Sequence, residues 1–414
     1  MPSSEFVPRH AASAIADALA DTRVVLVNGA RQAGKSTLVR TLAGQRAAEW
    51  RNLDLPQDRQ SAREDPVGFV SFDAMMVIDE IQRAPELLLA IKATVDADPR
   101  PGRFLLTGSA RLLGLRDLPD TLPGRMETIE LWPFSQGEID RAPDSFVDTA
   151  FRLGPDLRHE STVTRADYAD RLVRGGLPEA VARADPRRRG KFHDAYAQNL
   201  IDRDVRQLAE IERRSQLYAL VRLLAARSGL LVAPGSLESD LRISRPTVAR
   251  YMRLLEEVFL IKRIPGWSRN LGTRATAAPK LVYVDSGIAA RLLSFDTRAL
   301  RRPGAPFGPL LEGFVLSELA RQLTWSAELA DLYHYRDHNK NEVDGVLENR
   351  QGQVIGIEVK AASTVRSDDF SGLRQLAAKL GDDFIVGVVL YTGNSTLPFG
   401  PKLRAVPISA IWQL

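Results

Sequence analysis

Arg23-Val24-Val25-Leu26-Val27-Asn28-Gly29-Ala30-Arg31-Gln32-Ala33-Gly34-Lys35-Ser36-Thr37 is the stretch on which the reading of this chain turns. Gly29 to Ser36 satisfies the pattern GxxxxGK[ST] at every fixed position. The apolar run Arg23–Val27 precedes it and a stretch of helical character, Lys35–Leu42, follows it. That context, strand then Gly-rich turn then helix, is what the pattern requires. Backbone N–H groups of such a loop, with the N-terminus of the following helix, cradle phosphates. Lys35 is expected to reach the β- and γ-phosphates and Ser36 to hold Mg²⁺. The nucleotide-binding set is expected to run through Gly29, Ala30, Arg31, Gln32, Ala33, Gly34, Lys35, Ser36 and Thr37. A chance Gly-rich turn is the competing reading, and the flanking strand and helix weigh against it.

Two further runs point the same way. Met75-Met76-Val77-Ile78-Asp79-Glu80 is an apolar strand ending in two acids. Asp79 is placed to hold Mg²⁺ and Glu80 to polarise an attacking water as general base. Phe104-Leu105-Leu106-Thr107-Gly108-Ser109 reads as a third strand, lying between the other two. Thr107 or Ser109 then either senses the γ-phosphate or caps a turn. Strands separated by helical stretches over the first ~135 residues predict a parallel sheet, whose ligands sit beyond the carboxyl ends of the strands.

Residues 135–210 read as helical and polar, with a loose stretch near 142–165. The basic cluster Arg187-Arg188-Arg189-Gly190-Lys191 reads as a solvated helix start or, alternatively, as a phosphate contact. Residues 215–265 look like a small helical unit ending in a strand near Phe259–Ile264. A helix opens at Ser244-Arg245-Pro246, with Val248, Met252, Leu255 and Val258 on one face and Arg245, Arg250 and Arg253 largely off it. With Leu237–Leu241 before it, this is similar to a helix-turn-helix, which would put its N-terminal residues in a major groove. A purely structural packing unit is the equal alternative. Gly266–Ala278 reads as a loop.

Residues 300–414 form a separate α/β module. A helix over Pro309–Leu323 precedes three strands, Glu342–Leu347, Val354–Val359 and Phe384–Leu390. Glu358 and Lys360 are two apart and share one face of their strand. Asp344 on the neighbouring strand is expected to meet Glu358. Two carboxylates make a second Mg²⁺ site, with Lys360 beside it.

The chain has 414 residues, 44% hydrophobic and 26% charged, which excludes disorder, collagen and disulfide scaffolds. It has no cysteine, and its five histidines lack metal spacing, so a zinc enzyme is not expected. The net charge of +4 is mild and does not by itself call for nucleic acid. No apolar run is long enough to span a bilayer, and MPSSEFVPRH lacks the apolar core of a secretory signal, so a cytoplasmic protein without a membrane partner is expected.

NGARQAGKST, VIDEIQRAPEL, FLLTGSARLL, LPGRMETIELWPFSQGE, GGLPEA, PKLVYVDSGIA, LLEGFVLSELA and NEVDGVLE followed by GIEVKA span nearly the whole chain. On these stretches the chain resembles the family of prokaryotic AAA-type ATPases that carry a C-terminal domain of unknown function with a nuclease-like fold. The resemblance implies an α/β fold. A P-loop AAA-type parallel-sheet core would occupy residues 1–135, a helical lid 136–214, a winged-helix-like segment 215–299 and a PD-(D/E)xK nuclease-like α/β module 300–414. It implies ATP and Mg²⁺ as cofactors and a homo-oligomeric ring, with a hexamer as the expected size. Arg125, at the matching LPGRMETIEL, is the favoured arginine to complete a neighbour's ATP site, ahead of Arg111 and Arg116. The plain alternative is a surface ion pair of Arg125 with Asp120 or Glu127. Glu312 matches an acid that often joins nuclease-like sites, and Gln375 is placed near the same cleft. ATP hydrolysis coupled to DNA is the expected function. A regulatory switch acting on proteins with a degenerate nuclease fold, and an ATP-gated metal-dependent nuclease, are the alternatives.

Overall fold

The computed structural model describes residues 6–44, 46–109, 122–205, 214–232, 234–302, 304–339 and 341–414. Two compact units result: Met1–Pro133 with Glu257–Phe259, and Phe134–Glu256 with Leu260–Leu414.

The first unit is built on five parallel strands, β1 (Val24–Asn28), β2 (Ala48–Asn52), β3 (Met75–Asp79), β4 (Phe104–Gly108) and β5 (Met126–Glu130), in the order β2-β3-β4-β1-β5. β4 pairs with β1 on one side and β3 on the other, so Thr107 and Gly108 stand between the two phosphate-site strands. The central strands are buried along their whole length, as apolar, β-branched runs such as VVLVN require in a sheet covered on both faces. Side-chain alternation divides the core: Val24 and Leu26 enter one cluster, Val25 and Val27 the other. Helix Leu87–Ala97 covers the first face, and helices Ala11–Asp21 and Lys35–Ala43 the second. Because all strands run the same way, Asn28, Asp79 and Gly108 finish along one edge.

The second unit opens with short helices. One of them, Phe146–Leu153, lies inside the stretch expected to be loose; Phe146, Val147 and Ala150 are buried and hold it. Helix Pro186–Asn199 begins in the basic cluster, behind an Asp185 cap, with Arg187 and Arg188 exposed. Helices Arg214–Ala226, Pro234–Leu241 and Arg245–Glu257 follow. The antiparallel pair β6 (Ile261–Ile264) and β7 (Lys280–Tyr283) comes next. The expected loop between them contains a short helix, Leu271–Thr276, which starts where the Asn270 side chain accepts the Thr273 N–H at 3.0 Å.

The C-terminal part of this unit is a six-stranded mixed sheet: β8 (Ala330–Arg336), β9 (Glu342–Asn349), β10 (Val354–Lys360), β11 (Phe384–Tyr391), β12 (Leu397–Pro398) and β13 (Leu403–Pro407), in the order β12-β13-β11-β10-β9-β8. β8, β9 and β10 form an antiparallel meander, and helix Ser371–Leu380 carries the chain to β11, which runs parallel to β10. Gly356 gives this helix room, since a Cβ there would lie 2.6 Å from Leu373. Helix Phe307–Gln322 is buried almost throughout. Along β8 and β9, Tyr333 pairs with Val346 but Tyr335 with Val343, so an extra residue of β9 is accommodated at Asp344–Gly345. Such a bulge bends the strand and re-aims the side chains within it.

Among the described residues no helix is long and apolar enough to cross a membrane.

Candidate functional site

The phosphate loop leaves β1 at Gly29, whose φ of 148° and closeness to the Leu131 carbonyl admit no side chain: a Cβ there would lie 2.0 Å from that oxygen. Gln32 and Gly34 are both left-handed, at φ 59° and 96°. The helix then starts at Lys35 with no side-chain cap. Its first-turn N–H groups therefore lack both intrahelical and capping partners, the condition for holding an anion. Ala30 and Ala33 are buried, Arg31 is half-buried, and Gln32 and Thr37 are exposed. Lys35 Nζ is buried and donates to the carbonyls of Gly29 and Ala30, each at 2.9 Å. A buried ammonium resting on its own loop's carbonyls is well placed to turn to a phosphate.

From the loop a run of hydrogen bonds reaches both acids. Ser36 Oγ donates to Asp79 Oδ1 at 3.0 Å, and Thr107 Oγ1 donates to the same oxygen. Thr107 Oγ1 in turn accepts the Glu80 N–H at 3.0 Å. Ser109 Oγ donates to Glu80 Oε2 at 2.8 Å, and Gln82 Nε2 donates to both Ser109 Oγ, at 2.9 Å, and the Glu80 carboxylate. Glu80 adopts a left-handed conformation, φ 62° and ψ 47°, which ends β3 sharply. A non-glycine residue there carries strain that neighbours must hold in place. Burial raises the Asp79 pKa, while the hydrogen bonds from Thr107 and Ser36 oppose that rise. The Ser36–Asp79 pair suits Mg²⁺, a hard cation that takes oxygen ligands. Thr107 and Ser109 thus divide the work: Thr107 fixes Asp79 and the Glu80 backbone, and Ser109 touches the Glu80 carboxylate.

Arg9 was not foreseen. Its buried guanidinium donates to the Ala33 carbonyl in the phosphate loop and to the Trp132 carbonyl, both at 2.7 Å. An isolated Arg before a helix carries no pattern that would single it out.

Arg125 lies just before β5, at the amino-terminal edge of the sheet, and ion-pairs with Asp96. Of the partners expected from the sequence, Asp120 lies outside the described residues. At ~3.3 Å per residue, the five residues of β5 put Arg125 roughly 16 Å from the edge that carries the phosphate loop. Within one chain it does not serve that loop. Arg111 and Arg116 lie outside the described residues. On helix Arg245–Glu257, Val248, Tyr251, Met252, Leu254 and Leu255 are buried, while Arg245, Arg250 and Arg253 are exposed.

In the C-terminal sheet the predicted acids do gather, with an addition. Lys280 Nζ, at the start of β7, lies 2.7 Å from Asp344 Oδ1 and also donates to Glu312. Asp344 Oδ2 accepts the Val359 N–H at 2.9 Å, and Lys360 donates to Glu358 at 3.0 Å. Burial and then Asp344 push Glu312 up to about 8 and Glu358 up to about 7. The sequence expects Asp344 and Glu358 to pair around a metal. Among the described residues no three His or acidic side chains are arranged to hold a metal ion, and the cation facing Asp344 is an ammonium. Gln375 is exposed on helix Ser371–Leu380.

Residues 21–140 match a family described as an AAA domain, residues 165–299 the domain of unknown function DUF8612, and residues 307–411 the domain of unknown function DUF4143. Two uncharacterized proteins, of Mycobacterium bovis and Mycobacterium tuberculosis, are each 29% identical to this chain over 408 residues, 97% of this chain and 84% of theirs. Among solved structures the chain is similar to the Walker-type ATPase paby2304 of Pyrococcus abyssi, at 17% identity and a TM-score of 0.44, over 70% of this chain and 97% of that one.

Proposed function

We propose that the AAA-type domain of residues 21–140 binds ATP and hydrolyses it to ADP and phosphate. The observation that carries this reading is the hydrogen-bonded run Ser36–Asp79–Thr107–Glu80–Ser109, which joins the phosphate loop to both acids. Gly29 to Gly34 and Lys35 hold the phosphates, Thr37 follows on the first helical turn, and Ser36 with Asp79 holds Mg²⁺. That ion, when bound, neutralises charge on the phosphates. Glu80 takes the proton of the attacking water as its oxygen bonds to the γ-phosphorus and the bond to the bridging oxygen breaks. Ser109 and Gln82 aim the Glu80 carboxylate. Phosphate release by purified protein tests this: Glu80→Gln keeps ATP binding but slows turnover about 10²–10⁴-fold, the range of general-base catalysis. Turnover of Glu80→Gln at the wild-type rate would remove Glu80 from the role.

The ring part of the reading assigns Arg125 to a neighbour's site, which requires its pair with Asp96 to open on assembly. Arg125→Ala chains mixed with Lys35→Ala chains should then regain activity that neither has alone. No recovery at any ratio, with monomeric sedimentation, argues against it.

Coupling to DNA rests on the exposed Arg245, Arg250 and Arg253 opposite a buried apolar face. A phosphate-driven interaction weakens steeply between ~50 and 200 mM salt. Removing each contacting arginine reduces the salt slope by about 1. An interaction indifferent to salt, or none, favours the second reading, a switch acting on protein partners. The ammonium among the C-terminal acids is the observation that favours that reading.

A further inference from the structure

The carboxylates of the C-terminal sheet already have a cation. Lys280 Nζ bridges Glu312 and Asp344, and its side chain is only 4% exposed. The other oxygen of Asp344 is taken by the Val359 N–H, and Glu358 is taken by Lys360, which also lies 3.7 Å from Asp369. Mg²⁺ demands near-octahedral oxygen ligands at ~2.0–2.1 Å. Lys280 Nζ stands where an ion shared by Glu312 and Asp344 would lie, on one of the two acids expected to hold the metal.

Lys280 is held at its backbone. It pairs with Ile264 across β6 and β7 and bridges to Leu231. The next residue, Leu281, accepts from Gly229 at 2.7 Å and donates to Leu230 at 3.2 Å. Two carboxylates lie within hydrogen-bond reach of Nζ, so nothing in the geometry disfavours the ammonium that lysine ordinarily carries at neutral pH. A divalent ion entering beside it would meet a positive charge within a few ångströms, in surroundings that screen poorly.

We infer that Lys280 is the resident cation of this cluster, so that the C-terminal module takes no catalytic divalent metal. The sequence offers these acids and Lys360 to a metal, but with Lys280 among them the residues present do not fit one. The cluster also joins two segments that the family matches treat apart: Lys280 comes from residues 165–299, the acids from residues 307–411. Acid spacing read within the second segment alone misses the lysine. The inference stands whether or not residues 21–140 hydrolyse ATP.

Calorimetric titration of the full-length, nucleotide-free protein with MnCl₂ tests it, with thermal unfolding measured in parallel. Wild type should show no ion uptake that Asp344→Asn abolishes. Lys280→Gln should unfold at a lower temperature, and Mn²⁺ should recover part of that loss by binding the vacated carboxylates. Lys280→Gln combined with Asp344→Asn should lose the recovery. A wild-type ion removed by Asp344→Asn overturns the inference. So does a folded Lys280→Gln protein indifferent to Mn²⁺. If Lys280→Gln fails to fold, the wild-type titration still decides.

Discussion

Two acidic sites of this chain end differently. In the first unit, Asp79 and Glu80 are met by hydroxyls and an amide: Ser36, Thr107, Ser109 and Gln82. In the second, Glu312, Asp344 and Glu358 are met by the ammoniums of Lys280 and Lys360. Hydroxyl partners orient a carboxylate and leave its charge uncompensated, so a metal ion or a proton can still claim it. An ammonium partner compensates the charge within the fold. Both clusters gather acids that the sequence offers as candidate metal ligands; on the proposed reading the partners decide which is poised for chemistry and which is closed.

The contrast breaks first on rate. Lys35→Ala removes a donor from the phosphates and should lower ATP turnover by about 10²–10³-fold or more, the cost of deleting one such contact. Phosphate release from Lys35→Ala near the wild-type rate would undo the first half of the comparison. The second half breaks on stability. Lys280→Ala leaves buried carboxylates unpaired, a loss of about 3–5 kcal/mol when one partner of a buried pair is deleted. Denaturant unfolding measures it, and a change under ~1 kcal/mol would mean that the pair is unimportant.

A smaller effect concerns pH. Asp144 is pushed up to about 7, first by burial. The folded chain therefore keeps a proton that the unfolded chain gives up. The stability this group contributes is fully present below the ordinary carboxylate range and is lost as pH rises through about 7. His334, pushed down to about 4 chiefly by burial, works oppositely: its contribution is present above 6.5 and lost as pH falls toward 4. Of these two groups only Asp144 titrates near pH 7, so the second unit should unfold at lower temperature as pH rises through that range. Asp144→Asn should flatten that slope. A slope of the opposite sign would contradict the burial of Asp144.

Much of the first unit was legible because its signals are local. A Gly-rich turn between an apolar strand and a helix, and an apolar strand ending in Asp79-Glu80, state their own chemistry. β2 was not seen: AEWRN is a half-exposed edge strand, stabilised by pairing with β3 and not by its own pattern. Lys280 and Arg9 escaped for a related reason. Each meets partners tens or more of residues away, and single basic residues carry no spacing to read. Asp344 and Glu358 do lie on neighbouring strands, β9 and β10, but the β9 bulge at Asp344–Gly345 depends on pairing with β8, a strand the sequence reading did not include. GGLPEA and PKLVYVDSGIA, prominent in the sequence, prove to hold each other. Asp285 caps its helix and accepts the N–H groups of Gly176 and Leu177, at 2.7 and 3.1 Å.

Counting bound Mn²⁺ by electron paramagnetic resonance, with and without a non-hydrolysable ATP analogue, tests the contrast most directly. The account predicts one ion per chain that appears with the nucleotide and disappears in Asp79→Asn. A second ion, present without nucleotide and lost in Asp344→Asn, would contradict it.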